Sequence, residues 1–113
     1  MPKNTPLKNE QMSDSAYYIL LALLLPKHGY AIMKYIEELT EGEITMGPAT
    51  LYTLIKKLQK SGYILLHEDD DERRKTYQLT QAGTAMVEAE IERRLRMSRH
   101  GRLAQLNAKE ELE

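Results

Sequence analysis

Between Ala49 and His67 the only charged residues are Lys56, Lys57 and Lys60, with no acid among them. Ammonium groups spaced this way along one helical face suit a polyanion: on duplex DNA they neutralise backbone phosphates, which supplies affinity and register but no sequence information. Ala49, Thr50 and Thr53 precede them. Such small side chains suit base edges, since a methyl packs on a thymine methyl and a hydroxyl donates to or accepts from a base. Tyr52 lies at the border, where its ring can pack while its hydroxyl reaches a phosphate. Arg73, Arg74 and Lys75 form a second cationic run able to grip phosphates or enter a minor groove. Asp69, Asp70, Asp71 and Glu72 precede that run and repel DNA, so its expected contribution is modest.

The densest basic cluster is Arg93, Arg94, Arg96, Arg99 and Arg102. With Glu88, Glu90 and Glu92 nearby, it reads as a solvated helix laced by i,i+4 ion pairs, rather than as a second DNA surface. Other chemistries find no residues. There is no cysteine, which excludes disulfides and thiolate sites. His28, His67 and His100 lie in different elements at no metal-ligand spacing. No paired histidine and carboxylate, nucleophile motif or glycine-rich phosphate loop is present. No metal, cofactor or enzymatic activity is therefore expected.

Those residues must be held by a chain of 113 residues, enough for one domain with its own core. The formal net charge is −1, which argues against nucleic acid until its distribution is considered. The acids gather at Glu37 to Glu43, Glu68 to Glu72, Glu88 to Glu92 and Glu110 to Glu113, so a neutral total conceals a basic face. The longest apolar run, Ala16 to Leu25, is far short of the roughly 20 residues that span a bilayer, and Met1 to Gln11 lack an apolar leader. The expected setting is the cytoplasm, without membrane contact.

Residues 1–12 are polar, with Pro2 and Pro6, and read as a mobile arm. Ser13 can cap a first helix running to about Leu25, with Ala16, Ile19, Leu20, Leu23 and Leu24 in one stripe. Tyr17, Tyr18, Leu21 and Leu25 cover much of the rest, so both sides look buried and a second subunit can supply one cover. Pro26 to Gly29 reads as a turn and Gly29 to Thr40 as a second helix. Ile44 to Met46 suits a short strand. Pro48 opens a third helix to about Lys60, which sets Leu51, Leu54, Ile55 and Leu58 opposite Ala49, Thr53 and the lysines. Tyr63 to His67 and Lys75 to Leu79 predict a hairpin with a charged tip. Thr80 can cap a last helix from Gln81 to about Leu106, whose thin stripe is Val87, Ile91 and Leu95.

This order is mainly α with a small β-hairpin wing: a winged helix-turn-helix plus a long C-terminal helix, in which the third helix would enter the major groove. The expected division is an arm at 1–12, a DNA-binding domain at 13–80, and a dimerisation helix with an acidic tail at 81–113.

Gly47-Pro48-Ala49-Thr50-Leu51-Tyr52-Thr53-Leu54-Ile55-Lys56-Lys57-Leu58, then Gly62-Tyr63-Ile64, then Arg74 to Thr80 and Gly83, resemble the PadR signature, and Leu23 to Leu25 with His28-Gly29-Tyr30 match upstream. The resemblance covers about Ser13 to Gly83. It implies a repressor that binds a roughly palindromic operator as a homodimer, with Thr50, Tyr52, the third-helix lysines and Arg73 to Lys75 on DNA. The length resembles the short subfamily, whose C-terminal helix packs against the partner's first helix. That implies a dimer interface of Tyr17, Leu21, Val87, Ile91 and Leu95. Some such members stack flat aromatic drugs between subunits on tryptophan. This chain has neither Trp nor Phe, so a small-molecule effector is left without identity, though tyrosines can line a pocket. From a different class, a winged-helix protein-interaction module without DNA binding fits the near-neutral charge and acidic wing.

Overall fold

The computed structural model describes residues 12–68 and 75–113. Most of the expected arm and the acidic run with Arg73 and Arg74 lie outside the described residues.

Helix α1 is Asp14–Ala22. The Ser13 hydroxyl accepts the Ala16 amide N–H at 3.2 Å, and Asp14 sits in the first turn, where the positive end of the helix dipole favours it. The helix ends three residues earlier than its apolar run suggests, because the Lys27 ammonium folds back to donate to the Ala22 carbonyl at 2.7 Å and lies over the Tyr35 ring. Leu24 and Leu25, beyond that stop, are exposed.

Lys27–His28 then form strand β1, and Gly29–Leu39 form helix α2. The short strand expected at Ile44 to Met46 is absent; its place in the sheet is taken by β1, from the segment read as a turn. The cause is local. The Thr40 hydroxyl donates to the Ile36 carbonyl at 2.9 Å and accepts the Ile44 amide at 3.0 Å, while Glu41 and Gly42 adopt φ of 52° and 83°. That turn engages the backbone of Ile44, so the segment approaches α3 as irregular chain.

Helix α3 is Pro48–Lys60, with Gly47 as N-cap and proline in its first turn. Gly62, at φ 85°, turns the chain out of it. Strands β2 (Ile64–Glu68) and β3 (Lys75–Leu79) form the wing, and β1 pairs with the other edge of β3, giving an antiparallel sheet in the order β1-β3-β2. The register sets Tyr77 between Lys27 on one side and Leu66 on the other.

Helix α4 is Gln81–Leu112, longer than the expected end near Leu106. Thr80 ties its start to the body: its hydroxyl accepts the Gly83 amide at 3.0 Å and donates to the Gly62 carbonyl at 2.6 Å, and its own amide donates to the Tyr63 carbonyl at 3.0 Å. Ile19, Leu20, Leu23, Ile32, Ile36, Leu51 and Ile55 form the centre of the core, closed by Tyr63, Ile64, Tyr77 and Val87. From Leu95 onward every residue of α4 is exposed. The radius of gyration, 17.4 Å, exceeds the value of about 13 Å for a compact chain of this size, because this helix leaves the body.

Candidate nucleic-acid interface

The two faces of α3 separate as its periodicity predicts. Leu51, Ile55 and Leu58 are buried and Leu54 half-buried, while Ala49, Thr50, Thr53, Lys56, Lys57 and Lys60 are exposed. The polar face therefore contributes little to the core and is free for a ligand. Ala49, Thr50 and Thr53 border a shallow hollow of about 390 Å³ shared with Ser13 and Ser15 at the start of α1. Those serines, absent from the sequence-derived candidates, stand beside Ala49, Thr50 and Thr53 because α1 begins next to α3, although Ser13 and Ala49 are more than thirty residues apart in sequence.

Tyr52 lies at the border of the two faces, as its position suggests. Its side chain lies against Gly29 at the start of α2, where a β-carbon would overlap the phenol, yet the residue is 44% exposed. Glycine at position 29 lets this ring lie directly on the backbone, and no positive φ is involved. Lys75, at the tip end of β3, is exposed and lines the same cleft as Lys56, together with Tyr52 and Tyr30. The cleft encloses about 670 Å³ and has Ile55, Leu66 and Tyr77 in its lining. Arg73 and Arg74 lie outside the described residues.

The arginine-rich stretch of α4 holds one of the expected i,i+4 pairs, Glu90 with Arg94, but with its acid buried rather than solvated. Glu90 is only 3% exposed and receives Arg93 in a fork, at 2.9 and 2.8 Å, together with Arg94 at 3.1 Å. Arg94 also donates to the Asp14 carboxylate at 2.7 Å and to the Met12 carbonyl at 3.0 Å, and lies 4.2 Å from the centre of the Tyr17 ring. Arg94 is thus a clasp between α4 and the start of α1, and Arg93 is committed to the Glu90 carboxylate within α4. A single acid at one spacing among several in the sequence gave no signal that it would be buried.

Hydrogen bonding to Arg93, reinforced by Arg94, holds the Glu90 carboxyl below its ordinary range against the opposing effect of burial. A carboxylate with a lowered folded-state pKa contributes stability above the unfolded pKa, and that contribution is lost as pH falls through the folded value. Glu90→Ala is expected to cost about 2 kcal/mol at pH 7, since a buried charge-assisted network loses its acceptor. Urea unfolding across pH should show the gap between wild type and variant constant near neutrality and shrinking below about pH 4. A gap independent of pH would mean that the carboxylate charge contributes nothing.

Of the residues assigned to a dimer interface, Val87 is 4% exposed and buried within its own chain, so it has little surface left for a partner. Tyr17 and Leu21 are half-buried, and Ile91 and Leu95 are 39% and 49% exposed. Leu103 and Leu106 extend the exposed apolar residues of α4 beyond the stripe read from sequence. Among the described residues, no helix is long and apolar enough to cross a membrane.

Three helices, a β-hairpin wing with a short third strand, and a trailing helix define a winged helix-turn-helix protein. Residues 19–89 match the model of the transcriptional regulator PadR-like family, and the chain belongs to that family. Over 61 residues it is 34% identical to the transcriptional regulator YqjI of Escherichia coli (strain K12), a match covering 54% of this chain but only 29% of that protein. A transcriptional regulator from Clostridium thermocellum is 27% identical in sequence and superposes with a TM-score of 0.66, over 74% of this chain and 85% of that one. Bacillus subtilis PadR, solved in complex with operator DNA, shares the fold at 24% identity and a TM-score of 0.63, over 70% of this chain and 47% of that one. The family and these relatives are described as regulators of transcription.

Proposed function

We propose that the chain represses transcription in the cytoplasm by binding a roughly palindromic operator as a homodimer, and that a small-molecule effector releases it. The observation that carries this reading is the face of α3: small base-sized side chains at its start, lysines along its length, no acid, and nearly all of it open to solvent. In this reading Ala49, Thr50 and Thr53 read bases. Lys56, Lys57 and Lys60 hold phosphates, joined by Tyr52 and by Lys75, Arg73 and Arg74 of the wing. Residues 13–80 form the DNA-binding unit and 81–113 the dimerisation segment, with 1–12 as an arm.

Selection of bound duplexes from a random library, followed by affinity measured against salt, tests this directly. An enriched palindromic motif is expected, with log affinity falling steeply and linearly with log salt. Failure to retain any duplex at low salt would overturn the reading in favour of a protein-interaction module.

Dimerisation is supported by the exposed apolar residues of α4, since such side chains along a projecting helix match a covered surface better than a solvated one. Leu95→Glu is expected to shift the protein from dimer to folded monomer in sedimentation and to weaken operator binding by about a hundredfold, because each half-site then binds alone. A variant that remains a dimer would remove Leu95 from the interface.

A further inference from the structure

We propose that His28 and His67, brought into one row across the sheet, form a binding site for a zinc ion that straps β1 to β2. The strand register carries this. Thr76 of β3 is the partner of His28 in β1 and, on its other edge, of His67 in β2. Residues directly opposite one another in an antiparallel sheet project to the same face. The adjoining row, Lys27, Tyr77 and Leu66, is buried or half-buried against the body, so the histidine row projects the other way. Both histidines are exposed, and Thr76 is half-buried between them.

Two strand spacings of about 4.8 Å set the two histidine backbones about 10 Å apart. An imidazole carries its far nitrogen about 4 Å from the backbone and a Zn–N bond adds about 2 Å, so two rings leaning together can meet at one ion. The residue they close over, Thr76, has a short side chain. Neither ring is engaged elsewhere. His28 is the N-cap of α2 yet makes no side-chain cap bond, and among the described residues neither imidazole has a hydrogen-bond or ion-pair partner.

Imidazole suits zinc and its late first-row neighbours, whereas magnesium and calcium take oxygen ligands. Among the described residues no group of three or more histidine or acidic side chains could hold a metal, so the chain supplies two ligands and water completes the tetrahedron. The pair is hidden in the sequence because one member belongs to β1, a segment that reads there as a turn. Only His28 of the two also borders the cleft beside α3. Strand β1 runs directly into α2, and β2 belongs to the hairpin, so a shared ion would fasten the wing to the helix-turn-helix. This role does not depend on what α3 binds.

The experiment is calorimetric titration of the full chain, first stripped with chelator, with zinc chloride in a non-coordinating buffer at neutral pH. One zinc per chain is expected at a Kd of about 10 µM, with magnesium giving no binding. His28→Asn and His67→Ala should each weaken zinc by about fiftyfold or more, because the ion then loses the second arm of its chelate. His100→Ala, on α4 and outside the row, should leave zinc affinity within about twofold. In the wild-type chain, the ring proton resonances of His28 and His67 should shift together over the same zinc concentrations while those of His100 stay in place. Zinc at about tenfold excess over its Kd should raise the thermal midpoint of the wild type by about 5 °C and leave that of His67→Ala unmoved. No saturable zinc binding, equal binding of magnesium, affinity that survives either ring's removal, or dependence on His100 would each overturn the site. Should a variant fail to fold, the ring resonances of the wild type decide alone. Zinc bound through both rings without a rise in the thermal midpoint would overturn the strap.

Discussion

The double variant Lys56→Glu, Lys57→Glu is expected to lose operator affinity by at least about a thousandfold, measured by fluorescence anisotropy on a selected duplex at fixed salt. Both side chains are exposed on α3, so the core is untouched, and in the proposed dimer each substitution acts twice. Four favourable phosphate contacts become four repulsions. The slope of log affinity against log salt should fall by about four contacts' worth, near 0.9 per phosphate. Lys57 also sits in the last turn of its helix, where a cation offsets the helix dipole, so Lys57→Glu carries a separate stability cost of about 0.5 kcal/mol. Thermal unfolding of the variant measures that cost independently. An unchanged affinity in the folded variant would remove this face from DNA.

Gly83→Ala is expected to destabilise the fold by about 3 kcal/mol. Alanine ordinarily stabilises a helix relative to glycine by about 1 kcal/mol, so the sign must be decided by space. At position 83 an added β-carbon meets the Tyr63 carbonyl oxygen, which is backbone and already accepts the Thr80 amide. Relief requires moving the first turn of α4, which breaks the Thr80 bonds to Gly62 and Tyr63. Gly101→Ala provides the contrast: nothing lies within 4 Å of its β-carbon, and that variant should gain stability by about 0.5–1 kcal/mol. Equilibrium denaturation of the two variants should therefore move in opposite directions. A neutral Gly83→Ala would show that α4 can lift from the body at little cost.

The parts legible in the sequence were those written in local chemistry. Pro48 and Gly62 bracket α3, Ser13 and Thr80 cap the helices they precede, and alternation in Lys75 to Leu79 marks β3. The α3 face was legible too, since periodicity alone sorts Leu51 and Ile55 from Lys56 and Lys57. What escaped depends on partners distant in sequence. Two residues between a proline and a helix reveal nothing of a strand until β3 lies beside them, and Ile44 to Met46, with two β-branched residues, has strand propensity but is held by the Thr40 turn before it. Glu90 was lost among three glutamates and five arginines of similar spacing, because its partner Arg94 is fixed by Asp14 across 80 positions of chain. Val87 fell the other way. Its place on the thin stripe of α4 was right, but Tyr63 and the core had already covered it.

Two fastenings hold α4: its first turn lies on the Tyr63 carbonyl, and Arg94 clasps the start of α1. Beyond Arg94 the helix continues without interruption to Leu112. One inserted residue past the clasp would leave the winged domain intact but swing the distal leucines by about 100° and carry them forward about 1.5 Å. If those leucines meet a second copy, the two recognition helices would be re-aimed and the preferred spacing between half-sites would change with them. The distal helix would then serve as a gauge, with operator spacing written in its length and phase and the bases it admits written separately in α3.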